Sequence, residues 1–470
     1  MLFSSLTVLC LFLPLALAAV FAAPPRWRNA VLLAESLLFY AWGAPKFVFA
    51  LVAGCVVDYM LARAILRSRS RLALWAGIAL NLGVLCLFKY GDAALGPLNR
   101  LPALARIALP LGLSFVTFQK ISYLVDVYRG TVRPASTFRD YLLYILLFPQ
   151  LVIGPIIRYH DIADQIRSRT VRSEGFLSGL WRFSVGLARK MLLANPLSAV
   201  ADQAFASAAS LSAPEAWIGL YAYTLQIFFD FAGYSDMAIG LGRMLGFRFL
   251  ENFDAPYLSR DMAEFWRRWH ISLGNFMKEY LYIPLGGNRV SLPRFVLNGW
   301  IVFLLSGLWH GETWNFLVWG AWHGLWISVA SVPRILAKRR GVAPGPGRHA
   351  FLRIAATFLL VMLGWVFFRS ATLPAALAYF RALVPAHAAA GMAHVAISPQ
   401  SLAALLAGTF LAFAPAWLPR LSLLEWEVPD ATPHASRLVL LRSFATAALI
   451  ALSSLPLLLS GFSPFIYNRF

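Results

Sequence analysis

The feature that most limits this chain is the recurrence of apolar runs close to the length of about 20 residues that a helix needs to cross a bilayer's hydrocarbon. Such runs lie near residues 2–22, 30–42, 46–64, 72–90, 108–128, 140–157, 177–200, 211–230, 295–309, 311–330, 351–368, 398–419 and 440–462. Several are short or interrupted, so about 10 to 12 are expected to span, with the others re-entrant or interfacial. In lipid the backbone N–H and C=O groups must be satisfied within the chain, which makes the expected fold class all-α, a polytopic membrane helical bundle. Composition agrees: 60% of the residues are hydrophobic and 13% charged, against about 25% charged in soluble domains.

A net charge of +20 would suit a nucleic-acid partner in a soluble protein. Here it has a simpler origin, because Lys and Arg accumulate in the cytoplasmic loops of membrane proteins and meet anionic headgroups there. Basic clusters occur at Arg63/Arg67/Arg69/Arg71, Arg158/Arg167/Arg169/Arg172 and Arg334/Lys338/Arg339/Arg340, and all three are expected to be cytoplasmic. Counting spans back from the first cluster puts the N-terminus in the periplasm. The first 25 residues lack the basic opening of a secretory signal, so residues 2–22 read as a first span. Cys10, Cys55 and Cys86 sit in apolar runs without metal-ligand spacing and read as small buried hydrophobes.

The Gly- and Pro-rich stretch 341–349 is the clearest linker. It separates a motif-rich core, 1–340, from C-terminal helices in 350–470 that are expected to pack on it. Residues 259–282 differ in character: Phe265, Trp269, Leu273, Phe276 and Tyr280 recur at helical spacing among charged residues. This pattern predicts a helix along the interface or against the bundle, not one facing lipid all round.

Five of the eight histidines (His160, His349, His387, His394 and His434) lie in polar or Pro/Gly/Ala-rich loops and read as solvated. His310 ends an apolar run in Gly307-Leu308-Trp309-His310-Gly311, with Trp309, Trp314, Trp319, Trp322 and Trp326 crowding the same region. A titratable side chain at membrane depth is costly and faces a cavity or a partner, so His310 reads either as an interhelical hydrogen-bonding residue or as a reactive group. His323 repeats the setting in Trp322-His323-Gly324. On one straight helix, 13 residues would hold it about 20 Å from His310 on another face. Whether His270 meets His310 only the fold can decide. No HExxH zinc motif occurs, and Gly233-Tyr234-Ser235-Asp236 lacks the second glycine of a nucleophile elbow. Gly240, Gly242 and Gly246 read as helix packing. Asp230 and Asp236 are intramembrane acids with structural and functional readings both open.

Taken together, several blocks resemble the membrane-bound O-acyltransferase superfamily, in particular its bacterial branch with the alginate O-acetyltransferase membrane subunit and the teichoic-acid D-alanyl transfer protein. They are GLSFVTFQKISYLVDVYRG at 112–130, FPQLVIGP at 148–155, DFAGYSD at 230–236, FWRRWHISL at 265–273, YLYIPLGGNR at 280–289 and GLWHG at 307–311, with the tail SPFIY at 463–467. They run in family order, and the LGGNR segment favours the polysaccharide-acetylating branch. Gly274 replaces an expected Ser, and Lys278-Glu279 an expected Arg-Asp.

The resemblance implies a funnel across the membrane with His310 at its narrowest point as the catalytic residue and His270 as a second catalytic position. It implies an acetyl donor, acetyl-CoA or a related thioester, arriving from the cytoplasm as a cosubstrate and not a resident cofactor. No metal is expected. The acetyl group would pass to an exported polysaccharide such as alginate or to a periplasmic acetyltransferase partner, in a multi-pass protein of the bacterial inner membrane. A histidine near neutrality suits the activation of a hydroxyl, with His270 orienting or stabilising the oxyanion. Other classes stay open: transfer of D-alanyl or another acyl group to an envelope polymer, a transporter, or a scaffold for glycan secretion. A transporter would be expected to show internal symmetry, and none is found.

Overall fold

The computed structural model describes residues 3, 5–94, 112–151, 154–341, 349–385, 394–418 and 433–460. The linker 341–349 and the tail 463–467 therefore fall almost wholly or wholly outside the described residues, as does His387. Among the described residues the chain is all-α, with a single isolated β-bridge, Phe253 to Trp269.

In chain order the helices are α1 (Leu13–Ala22), α2 (Arg28–Gly43), α3 (Val48–Ser68), α4 (Arg71–Ala94), α5 (Leu113–Arg129), α6 (Phe138–Leu146), α7 (Phe148–Leu151), α8 (Tyr159–Arg167) and α9 (Ser173–Ala188). Then follow α10 (Asn195–Ala206), α11 (Ala213–Met244), α12 (Met262–Arg268), α13 (Ile271–Met277), α14 (Leu292–His310), α15 (Trp314–Arg339), α16 (Ala350–Arg369), α17 (Leu373–Ala382), α18 (Pro399–Phe413) and α19 (Pro433–Ser460). Among the described residues, six stretches are long and apolar enough to cross a membrane: Pro45–Ser68, Arg71–Gly91, Leu292–His310, Ala350–Arg369, Pro399–Ala416 and Val439–Leu458. The chain is a multi-pass membrane protein.

Two compact units divide the chain. The first comprises the described residues of 1–188, 233–251 and 423–462. Lipid offers helices no hydrophobic drive to associate, so small residues and buried polar groups do that work. Gly240 of α11 allows such an approach, since a Cβ there would stand 2.6 Å from the Gly179 carbonyl oxygen of α9; helix packing is the right reading of that glycine. Lys120 on α5 pairs with Asp58 on α3 at 2.8 Å, and Asn81 on α4 donates to the same carboxylate. All three are buried. Arg182 pairs with Asp236 and Glu251, giving Asp236 a structural role.

Some expected loop residues are built into this unit. His160 is not a solvated bystander: Nδ1 lies 2.8 Å from Asp126 and Nε2 3.3 Å from Asp161. Arg158 is buried against Asp161, and Arg169 donates to the Leu245 carbonyl and Asn29 while lying over the Phe247 ring. The second basic cluster is thus only partly a solvent-facing loop. Cysteines are also split: Cys55 is buried, but Cys10 and Cys86 lie on exposed faces, where an apolar thiol in a membrane helix can meet lipid.

The second unit comprises the described residues of 189–232 and 252–422. Its centre is aromatic, with Trp269, Trp319 and Trp365 almost wholly buried. Lys190 pairs with Asp230 at 2.7 Å, so this acid too has a structural partner. The expected single helix over 259–282 is broken. Trp269 is extended and His270 is left-handed, at φ 46°. The break lets residues 252–254 pair with the chain: Asp254 N–H donates to the Arg268 carbonyl and Ile271 N–H to that of Asn252. These backbone bonds replace the helical ones that periodicity alone would assign.

Candidate active site

His310 is the last residue of α14 and Gly311 its C-cap; α15 starts at Trp314. Residues 310–323 are therefore not one straight helix, the condition under which His323 would stand apart from His310. Instead α14 and α15 form a hairpin whose backbones nearly touch. A Cβ on Gly307 would lie 2.2 Å from the Phe316 carbonyl oxygen, and one on Gly320 2.4 Å from that of Phe303. Only glycine permits this approach, and it brings the two WHG motifs onto one aromatic cluster.

Within that cluster the His310 ring centroid lies 4.7 Å from Trp309, 5.0 Å from Trp319 and 5.1 Å from Phe368. His270 packs on the other residue of the same pair, 6.4 Å from Trp309, and edge-on to Phe231 at 4.7 Å. The structure thus brings His270 and His310 to one tryptophan. His323 joins from α15, 4.8 Å from Trp319, and its Nδ1 accepts from Trp266 Nε1 at 3.2 Å. His323 therefore shares the aromatic wall from which helix geometry was expected to exclude it. All three imidazoles are buried.

The left-handed turn at His270 is pinned from both sides. Trp269 forms the bridge to Phe253, while the Ser272 N–H and hydroxyl both donate to Asn252 Oδ1, at 3.2 and 2.9 Å. The Nε2 of His270 has no hydrogen-bond partner among the described residues. Burial pushes its pKa down to about 3, which keeps the ring neutral at physiological pH.

A cavity of about 660 Å³ opens between α14, α15 and the α12–α13 segment. Arg267, Lys278 and Arg334 contribute to its wall, and all are exposed, which places them at its mouth. Arg334 is also held by Asp261, the N-cap of α12, which pairs with Arg353 as well. Tyr282 and Asn288 line the cavity too and bond to each other across the Leu-Gly-Gly-Asn turn. At the buried end stand Trp266, Phe303 and Ser306. Ser306 lies four residues before His310, on the same face of α14, so the cavity points toward that histidine.

Sequence reasoning named His310 and His270 but missed Trp266, Ser306, Tyr282 and Asn288. Three of these fall inside the quoted blocks, and Ser306 stands immediately before one; their shared presence on one wall was the missing information. His394 is exposed beside Glu215 and plays no part here.

Comparison with known proteins decides the family. Residues 133–369 match the model of the membrane-bound O-acyltransferase family. A protein of Azotobacter vinelandii named probable alginate O-acetylase is 41% identical over 399 residues, covering 82% of this chain and 78% of that protein. The chain belongs to the membrane-bound O-acyltransferase family. The peptidoglycan O-acetyltransferase of Helicobacter pylori is 35% identical over 79% of this chain and 77% of its own length. The teichoic acid D-alanyltransferase of Streptococcus thermophilus is 28% identical over 55% of this chain and 68% of that protein. The matched residues, 133–369, include His270, His310 and His323, the buried histidines among the described residues.

Proposed function

We propose that this protein transfers acetyl groups from a cytoplasmic thioester, acetyl-CoA or a close relative, to an exported polysaccharide, directly or through a periplasmic partner, in the bacterial inner membrane. The observation that carries the reading is the convergence of His310 and His270 on Trp309, deep in the family-matched segment and beyond a cavity with a basic mouth. Two of the relatives matched over most of the chain are named probable alginate O-acetylase and peptidoglycan O-acetyltransferase, which supports O-acetylation of a polysaccharide.

The chemistry follows from the groups present. An acceptor hydroxyl is a poor nucleophile until a base removes its proton, and neutral imidazole is suited to that near pH 7. His310 takes the proton as the hydroxyl oxygen bonds to the thioester carbonyl carbon. The C–S bond then breaks, and the departing thiolate receives the proton from the imidazolium. In this reading His270 donates from Nε2 to the developing oxyanion. Arg267, Lys278 and Arg334 suit the phosphates of a nucleotide-bearing donor.

The test is His310→Ala in cells, with acetyl content of the exported polymer measured beside a membrane immunoblot. A positioned base contributes about 10²–10⁴-fold in rate, so acetylation should vanish at near-normal protein abundance. Substantial acetylation by the variant would sink the mechanism and favour a scaffold.

A further inference from the structure

The cavity stops short of the histidines. Along α14 its wall ends at Ser306 and along α15 at Ile327; neither His310 nor Trp319 contributes to it. Trp266 stands at this end. Its indole packs edge-on to Trp319 at 5.7 Å and to Phe303 at 5.1 Å, and Trp319 in turn packs on His310. A donor in the cavity therefore meets the Trp266 ring before it reaches His310.

Trp266 is not held by packing alone. Its Nε1 donates to Nδ1 of His323, which fixes the His323 proton on Nε2. That Nε2 is buried and has no partner among the described residues, and it lies close to Gly364, where an added Cβ would come within 3.1 Å of it. An unsatisfied buried N–H is destabilising, yet the fold keeps the ring in the one tautomer that can hold Trp266.

We propose that Trp266, latched by His323, gates the passage from the donor cavity to His310 and sets the size of acyl group that passes. Trp266 is a specificity-determining residue on this account, and His323 a positioning residue acting through it. The acyl-size half rests on the proposed transfer reaction; the gate itself does not.

The two are separated by measuring access as well as transfer. In the full chain in nanodiscs, with Cys10 and Cys86 changed to Ser and Cys55 to Ala, single cysteines are introduced as Ser306→Cys or His310→Cys. Their modification by methyl methanethiosulfonate is timed. Ser306→Cys should react at the same rate whatever occupies positions 266 and 323. His310→Cys should react at least tenfold faster once Trp266→Ala or His323→Ala is added, and slowly again with His323→Asn, whose Oδ1 replaces Nδ1 as acceptor. Equal His310→Cys rates with and without Trp266 overturn the gate; acceleration by Trp266→Ala but not by His323→Ala overturns the latch. In chains retaining His310, Trp266→Ala should raise the ratio of butyryl to acetyl transfer from the CoA thioesters at least tenfold, and an unchanged ratio overturns the size limit. A wild-type chain that transfers neither group refutes the donor reading, while the labelling rates still decide the gate.

Discussion

The Ser272 hydroxyl donates to Oδ1 of Asn252 across 2.9 Å, and the Ser272 N–H donates to the same oxygen. One amide thus fastens the start of α13 immediately after His270, whose backbone is left-handed. Asn252→Ala should remove this cap, costing about 0.5–2 kcal/mol of stability and letting the imidazole drift. The expected outcome is a modestly lowered melting temperature with a larger fall in kcat than in the apparent affinity for donor. Asn252→Asp, which keeps an acceptor oxygen, should recover most of the rate. Loss of stability with kcat intact would show that the cap does not position His270.

Lys120 and Asp58 give a prediction about assembly. Their side chains are 8% and 0% exposed and 2.8 Å apart. Removing one partner of a buried pair strands the other and costs about 3–5 kcal/mol, whereas replacing both with apolar residues is often neutral. Asp58→Ala should therefore collapse the amount of folded protein in membranes. Asp58→Leu with Lys120→Met should restore much of it, and a double variant no better than the single one would contradict the argument.

His160 predicts a pH dependence. Hydrogen bonding to Asp126, then to Asp161, raises its pKa to about 9, against an ordinary value near 6.5. A raised folded-state pKa gives stability that is complete below about 6.5 and is lost as pH climbs through about 9. Wild type should melt above His160→Gln at pH 6, with the gap narrowing by pH 9.5. A gap that stays constant over this range would mean that the ring's charge contributes nothing.

How much could be read from the chain alone depended on whether a signal was local. Hydropathy marked the spanning stretches because lipid demands length and apolarity from each helix separately. The blocks marked His310 and His270. Periodicity failed at Trp269 and His270, since the apolar stripe runs unbroken through the break; what ends the helix is pairing with residues 252–254, distant in sequence until the chain folds. The break at His310 was legible, since the apolar runs 295–309 and 311–330 part there and Gly311 is a helix stop; that the two helices fold back on each other was not. The cavity wall was illegible because it is assembled from α12, α13, α14, α15 and the turn bearing Asn288. No single segment carries its pattern.

The cavity mouth supplies the last prediction. Arg267, Lys278 and Arg334 lie on its wall, and Arg334 is followed within two turns by Arg339 and Arg340 at the end of α15. Dense positive charge beside a membrane helix favours the cytoplasmic side, so this mouth should open where nucleotide-bearing thioesters are found. Two consequences can be measured. A cysteine at Arg340 should resist an impermeant reagent added outside intact cells and react in inside-out vesicles. Arg267→Ala and Lys278→Ala should each weaken donor binding several-fold with little change in kcat, because phosphates bound far from the reacting carbon contribute equally to ground and transition states. Raising ionic strength should reduce the effect of either substitution, since exposed charges are screened over about 8–10 Å at physiological salt. Rapid labelling from outside would invert the proposed orientation. A fall in kcat with unchanged affinity would move these cations from the donor's phosphates to the reaction itself.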